Sequence, residues 1–343
     1  MAYHVYVTVS GEGRIARFAM DEETGALAHR GDQAASGRPA PVAISPDRRF
    51  MYVARRDDLL ITSYAVDAES GALGELATIP IETDPCHMST DRTGRWLLSA
   101  HYMGERAAVH RIGEDGAALH PPVEWRHTGR GAHCFQTDPS NRFAFVPHIE
   151  GSGALNAILQ FRFDAESGQL AANEPAKVEP AGLDGPRHFC FHPALDIVYV
   201  SNEQGGSVSL YDFDAGAGTL GLRQTVSTLP EDWSGENKCS QIAITPDGRY
   251  LYAPNRGHDS IAEFTVDAGD GSLTALGRAP AEKTPRAFAV DPAGRFVVSA
   301  GLDSGRLATY RIDAASGHLE RIATTEVGAA PMWVAILPAR RPL

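Results

Sequence analysis

The chain has no uninterrupted apolar stretch of roughly 20 residues, the length a helix needs to cross a bilayer, so nothing in it reads as a membrane span. Cysteine is scarce. Cys86, Cys134, Cys190 and Cys239 are scattered with no C-x-x-C spacing, which points to reduced thiols in a cytoplasmic protein rather than to a disulfide or zinc framework. Basic residues are outnumbered, 31 Lys and Arg against 43 Asp and Glu, for a net charge of -12. That balance argues against nucleic acid or a membrane surface as partner, because phosphate attraction requires basic surface, but it leaves room for a local cationic pocket. The opening MAYHVYVTVSGEG lacks a basic segment followed by an apolar one, so no signal peptide is expected. Helical periodicity over ten or more residues is missing, as are a G-x-S-x-G nucleophile elbow, an H-E-x-x-H pair and a Walker loop. GEGRIA, from Gly11, lacks the third glycine and the following helix of a dinucleotide loop. No ligand spacing links His133, His188 and Glu203 into a metal site, so chemistry without metal or cofactor is expected.

Turns are abundant, with 34 Gly and 22 Pro. One turn pattern recurs: Asp, three residues, Gly, one residue, Leu. It reads DEETGAL from Asp21, DAESGAL from Asp67, DAESGQL from Asp164, DAGAGTL from Asp214, DAGDGSL from Asp267 and DAASGHL from Asp313, with a degenerate GEDGAAL at 113–119. Asp starts turns by bonding its own backbone and Gly supplies positive φ, so this is hairpin chemistry. A second marker, mostly a Pro after a short apolar run, falls at Pro46, Arg92, Pro139, Pro193, Pro246, Pro292 and Pro338, with spacings by subtraction of 46, 47, 54, 53, 46 and 46. An alternating strand follows each of the first six, as in RYLYAPN from Arg249 to Asn255.

Repeats of about 40 to 50 residues built from short strands predict β-propeller blades of four strands each. Seven markers give an all-β, seven-bladed propeller, a single domain over residues 1–343. WD40 and kelch markers are absent. The last marker, MWVAILP, has no strand after it, and the first strand, HVYVTV, has no marker before it. The C-terminal strand is therefore expected to join the N-terminal blade and close the ring, which removes exposed sheet edges.

Equivalent blades make one offset from the marker a ring of seven residues. Six before it stand Ala40, Cys86, His133, Arg187, Ser240, Arg286 and Met332; five before it stand Pro41, His87, Cys134, His188, Gln241, Ala287 and Trp333. Nine and ten after it lie Arg55-Arg56, His101-Tyr102, His148-Ile149, Asn202-Glu203, Asn255-Arg256 and Gly301-Leu302. These rings vary from blade to blade where the turns do not, the signature of a ligand site on a symmetric scaffold, and ligands prefer such concave mouths. His133, Arg187, Glu203 and Arg256 are the catalytic candidates. His87, His101, His148, His188, Asn202, Asn255 and Arg286 are candidates for binding substrate. Blander roles compete: Arg256 can pair with Asp259 in its own loop. Asn202, Asn255 and Asp259 suit turns, and the cysteines suit a core.

The segments GPRHFCFHP, SNEQGGSVSLYDFD, ITPDGRYLYAPNRGHDSIAEF and TPRAFAVDPAGRF resemble the seven-bladed β-propeller lactonase family. That family includes propeller-type 6-phosphogluconolactonases and carboxy-cis,cis-muconate cyclases. The resemblance covers essentially the whole chain, and its cyclase branch implies a site of one His, two Arg and one Glu, matched here by His133, Arg187, Arg256 and Glu203. It also marks departures at Gln241, Ala287, His101 and His148, where the family usually carries an acidic residue, Asn, Asn and Asp.

The activity expected is hydrolysis of a small sugar-derived lactone, phosphorylated or not. His133 or Glu203 serves as base, while Arg187 and Arg256 hold the oxyanion. One of these arginines, or Arg286, grips a phosphate or carboxylate. The alternative is a cycloisomerase using the same residues. A non-enzymatic binding propeller ranks third, because the rim is His, Arg and Glu rather than apolar. The partner expected is a small lactone or carboxylate, and the protein itself a monomer or small homo-oligomer.

Overall fold

The computed structural model describes residues 2–151 and 153–339. The ends of the expected 1–343 domain, Met1 and residues 340–343, lie outside them. The strands form seven sheets, six of four strands and one with a fifth short strand, and every pairing with a resolved register is antiparallel. Among the described residues the one helical element is the 3-10 turn Ser10–Glu12. The predicted all-β, seven-bladed propeller with four-stranded blades is therefore the fold observed.

The chain divides into two compact units, 1–34 with 188–212 and 221–343, and 35–187 with 213–220. In the first, Pro331–Pro338 pairs with Ala2–Val9, with Tyr3 opposite Pro338 and Thr8 opposite Trp333. Ser10 N and Gly11 N donate to Ala330 O and Ala329 O, 3.1 Å each, and extend the join. The C-terminal strand thus joins the N-terminal blade, as expected.

The recurring turn does more than reverse the chain. In DEETGAL the Asp21 carboxylate accepts from Thr24 N at 2.7 Å, and Gly25 N returns to Asp21 O at 2.9 Å. The turn glycines Gly25, Gly116, Gly168, Gly218 and Gly317 then sit against an aromatic ring four residues after the marker of the preceding blade, and Gly271 sits against Ile197 at the same place. At Gly218, φ is +71° and an added Cβ would lie 2.0 Å from the Phe143 ring; at Gly317, φ is +79° and the distance to Tyr250 would be 2.2 Å. Only a residue without Cβ fits. Arginines three residues after the marker cap the same turns: Arg95, Arg142 and Arg249 donate to the carbonyls of Ala165, Ala215 and Ala314 at 2.8, 2.6 and 3.1 Å. Tyr52, Tyr199 and Tyr252 donate their hydroxyls to Gly116 O, Gly271 O and Gly317 O at 3.0, 2.7 and 2.7 Å. The repeat signature is thus a blade-to-blade contact as well as a hairpin.

The inner strands are held alike. Four residues before each marker stand Val42, Met88, Phe135, Phe189, Ile242, Phe288 and Val334, all apolar and all buried. Burial of such side chains is worth about 1.5–3 kcal/mol each. With this ring uniform, the polar differences one and two residues earlier need another explanation.

Candidate active site

In the first unit the strands Ile197–Asn202 and Tyr250–Arg256 end side by side in role: each is followed or closed by a charged residue. Glu203 and Arg256 meet, with Arg256 Nη2 2.9 Å from Glu203 Oε2 and both side chains nearly buried, 12% and 9% exposed. Arg256 also donates Nε to Lys238 O at 3.3 Å and Nη2 to Cys239 O at 3.0 Å. Cys239 N donates to Glu203 O at 3.1 Å, so one strand end fixes both partners. Nη1 of Arg256 is left unspent by these bonds. The local pairing of Arg256 with Asp259 does not form; Asp259 instead accepts from Thr284 N at 2.8 Å.

His188 lies in the same unit, buried, its backbone N on Ser201 Oγ at 3.3 Å and its ring 6.2 Å from that of Trp333. Arg286 is half-buried on the strand Pro285–Val290. Asn202 and Asn255 are completely buried. Asn202 Nδ2 donates to Ser207 Oγ and Ser209 Oγ at 2.9 and 2.8 Å. Asn255 donates to Thr228 O and accepts from Thr228 Oγ1 and Asn237 Nδ2 at 3.0, 2.7 and 2.9 Å. Both brace the strand ends that carry the charges.

In the second unit His133 and Arg187 are buried, and the His133 ring meets the Tyr102 ring edge-on at 6.2 Å. His133 N donates to Pro147 O at 2.9 Å, which anchors its strand. His87 is buried beside them, with burial first and the Arg187 guanidinium second pushing its pKa down to about 3. Its Nδ1 accepts from Phe135 N at 3.3 Å, so Nε2 carries the proton toward Cys134 Sγ at 3.4 Å. A neutral imidazole bonded in this way braces two inner strands.

His101 and His148, also expected to touch substrate, are completely buried. His101 Nδ1 lies 2.9 Å from Thr83 O, an acceptor only, so it holds the proton while Nε2 accepts from Ser99 Oγ at 2.9 Å. His148 Nδ1 donates to Val146 O at 2.9 Å. Burial pushes both down to about 4, and both stay neutral near pH 7 inside their own loops. Among the described residues no group of three His, Cys, Asp or Glu side chains is placed to hold a metal ion.

Residues 3–336 match the family model described as lactonase, 7-bladed beta-propeller. The chain belongs to this lactonase family. It is 35% identical over 252 residues, 74% of either chain, to a 6-phosphogluconolactonase of Pectobacterium carotovorum, and 36% identical over 254 residues, 74% of this chain and 75% of the other, to one of Serratia proteamaculans. The solved structure of the Pseudomonas aeruginosa periplasmic gluconolactonase superposes with a TM-score of 0.90 at 26% identity, over 99% of this chain and 100% of that one.

The family departures now have physical reasons. Gln241 Oε1 accepts from Phe288 N at 2.8 Å, the same reach from blade to blade that His87 makes to Phe135. Ala287, His101 and His148 are completely buried. The departure at Gln241 therefore supplies a staple between inner strands. Sequence reasoning missed the segment Leu229–Lys238, although the 53-residue spacing between Pro193 and Pro246 was its trace.

Proposed function

We propose that the chain, acting as one seven-bladed propeller domain, opens a small sugar-derived lactone by adding water, in the manner that the name 6-phosphogluconolactonase describes for its relatives. The observation that carries this is the nearly buried Glu203–Arg256 pair, a carboxylate beside a guanidinium whose Nη1 is unspent. An ester needs both kinds of group: a base to take a proton from water and a fixed cation to receive the carbonyl oxygen as it becomes negative. Water adds to the lactone carbonyl and the oxyanion rests on Arg256 Nη1. The ring C–O bond then breaks, and the proton taken from water returns to the leaving alkoxide, so the product is a hydroxy acid with no covalent intermediate. His133 or Glu203 is the base, Arg187 the second cation, and Arg286 the grip for a phosphate or carboxylate. The four cysteines, all free, support a reducing cytoplasmic setting, and the net charge of -12 supports a small-molecule substrate over nucleic acid.

Proton release near neutral pH, on phosphorylated and unphosphorylated sugar δ-lactones and corrected for spontaneous opening, tests the proposal. The protein should accelerate release, and Arg256→Ala should cut kcat by about 10²- to 10³-fold while leaving the circular dichroism intact. No acceleration on any lactone, with loss of ultraviolet absorbance on a muconate instead, would replace hydrolysis by cycloisomerisation.

A further inference from the structure

The segment from Leu229 to Lys238 runs between the strand Thr219–Ser227 and the short strand Lys238–Cys239. It is rich in polar residues and turns, PEDWSGENK, and nothing in the hairpin pattern requires it. Its residues nonetheless make a continuous set of contacts with the loop that follows Arg256. The Trp233 ring meets the His258 ring edge-on, with centroids 4.7 Å apart and planes at 82°. Asn237 accepts from His258 N at 3.3 Å and donates Nδ2 to Asn255 Oδ1 at 2.9 Å. His258 Nδ1 lies 2.7 Å from Ser260 Oγ, which also accepts from Asn255 Nδ2 at 3.2 Å.

Between these contacts the two backbones close tightly. Gly257 has φ +133°, and a Cβ there would lie 2.2 Å from Glu236 O. Lys238 pairs with Arg256 and Cys239 with Asn255 as strand partners. The carbonyls of those same residues, Lys238 and Cys239, receive the Arg256 guanidinium. Thus the direction in which Arg256 points is set by the segment, and the segment is held by Asn237 and Trp233.

We infer that Asn237 and Trp233 are positioning residues for the Glu203–Arg256 pair: together they latch 229–238 onto the 256–260 loop, so that Arg256 presents Nη1 in one orientation. This rests on the functional reading above. Neither residue touches the charged atoms, and both act through the carbonyls of Lys238 and Cys239. A misplacement of about 1 Å in a group that stabilises a transition state costs up to about 100-fold in rate.

A double-mutant cycle on kcat for lactone opening, measured above the spontaneous rate, tests the inference. Asn237→Ala in the parent should lower kcat about tenfold with KM within about twofold, and should cost little further rate in an Arg256→Ala background, where the positioned group is gone. An unchanged kcat, or the same fold loss in both backgrounds, would overturn it, because the latch would then not act through the pair. If Asn237→Ala does not fold, Trp233→Ala, at a partly exposed ring, is measured in the same cycle and judged by the same outcomes. No acceleration of lactone opening by the parent protein would instead overturn the functional reading, and so separates that failure from failure of the latch.

Discussion

Acidification from about pH 7 to about pH 5 should destabilise the protein steeply, and His110→Leu should remove one proton's share of that slope. His87, His101, His110 and His148 are all buried. Burial holds His110 near 4 instead of its ordinary 6.5, with His101 and His120 adding to the effect. The folded chain therefore keeps this imidazole neutral, whereas the unfolded chain protonates it. Because the folded pKa lies below the unfolded one, the unfolded state binds more protons between about pH 4 and 6.5. Stability is full above that window and is lost as pH falls through it. Each such histidine contributes a slope of about 1.4 kcal/mol per pH unit. For His110 the whole window amounts to about 3 kcal/mol, a large share of the net 5–15 kcal/mol of about any domain. Its Nδ1 has no hydrogen-bond partner among the described residues, so leucine leaves no Nδ1 bond unmade. Urea unfolding followed by tryptophan fluorescence at several values between about pH 4.5 and 7 measures the slope in parent and variant. A difference of about 1.4 kcal/mol per pH unit is expected. Equal slopes would refute the reasoning, since His110 would then be protonated equally in both states.

Two further substitutions test the scaffold and the boundary of the site. Gly218→Ala, at φ +71° against the Phe143 ring, should cost about 2–4 kcal/mol in urea unfolding, from the strained backbone and the overpacked contact together. A loss below about 1 kcal/mol would mean that the turn does not bear on the neighbouring blade. His101→Leu should lower stability by about 1–3 kcal/mol, because Thr83 and Ser99 lose their partner. It should leave KM for the lactone unchanged, and a raised KM would return His101 to the site.

The fold was legible because each blade repeats a steric demand. The turn needs Asp and Gly, the inner strand needs an apolar residue four before the marker, and both demands survive in the letters. The split blade was legible for the same reason, since an unmatched strand at each end has one way to become paired. Arg187, Glu203 and Arg256 stood out where that regularity breaks. Their pairing did not. Asp259 is three residues from Arg256 and Glu203 is 53 away, yet Glu203 takes the guanidinium, because the carbonyls of Lys238 and Cys239 turn it from its own loop.

Broken symmetry in the rings has two physical sources, and sequence alone merges them. One is a ligand. The other is the staple by which a polar side chain satisfies the N–H of the next inner strand, as His87 does for Phe135 and Gln241 does for Phe288. Both give a polar residue at a ring position, and both vary between blades. They differ in what remains after the internal bonds are made. His101 uses both ring nitrogens internally, and Asn255 commits its carbonyl and amide alike. Arg256 commits Nε and Nη2 and keeps Nη1. A donor left over at a nearly buried position is desolvated in advance, and desolvation is the condition under which the proposed role of Arg256 at an oxyanion would be strongest.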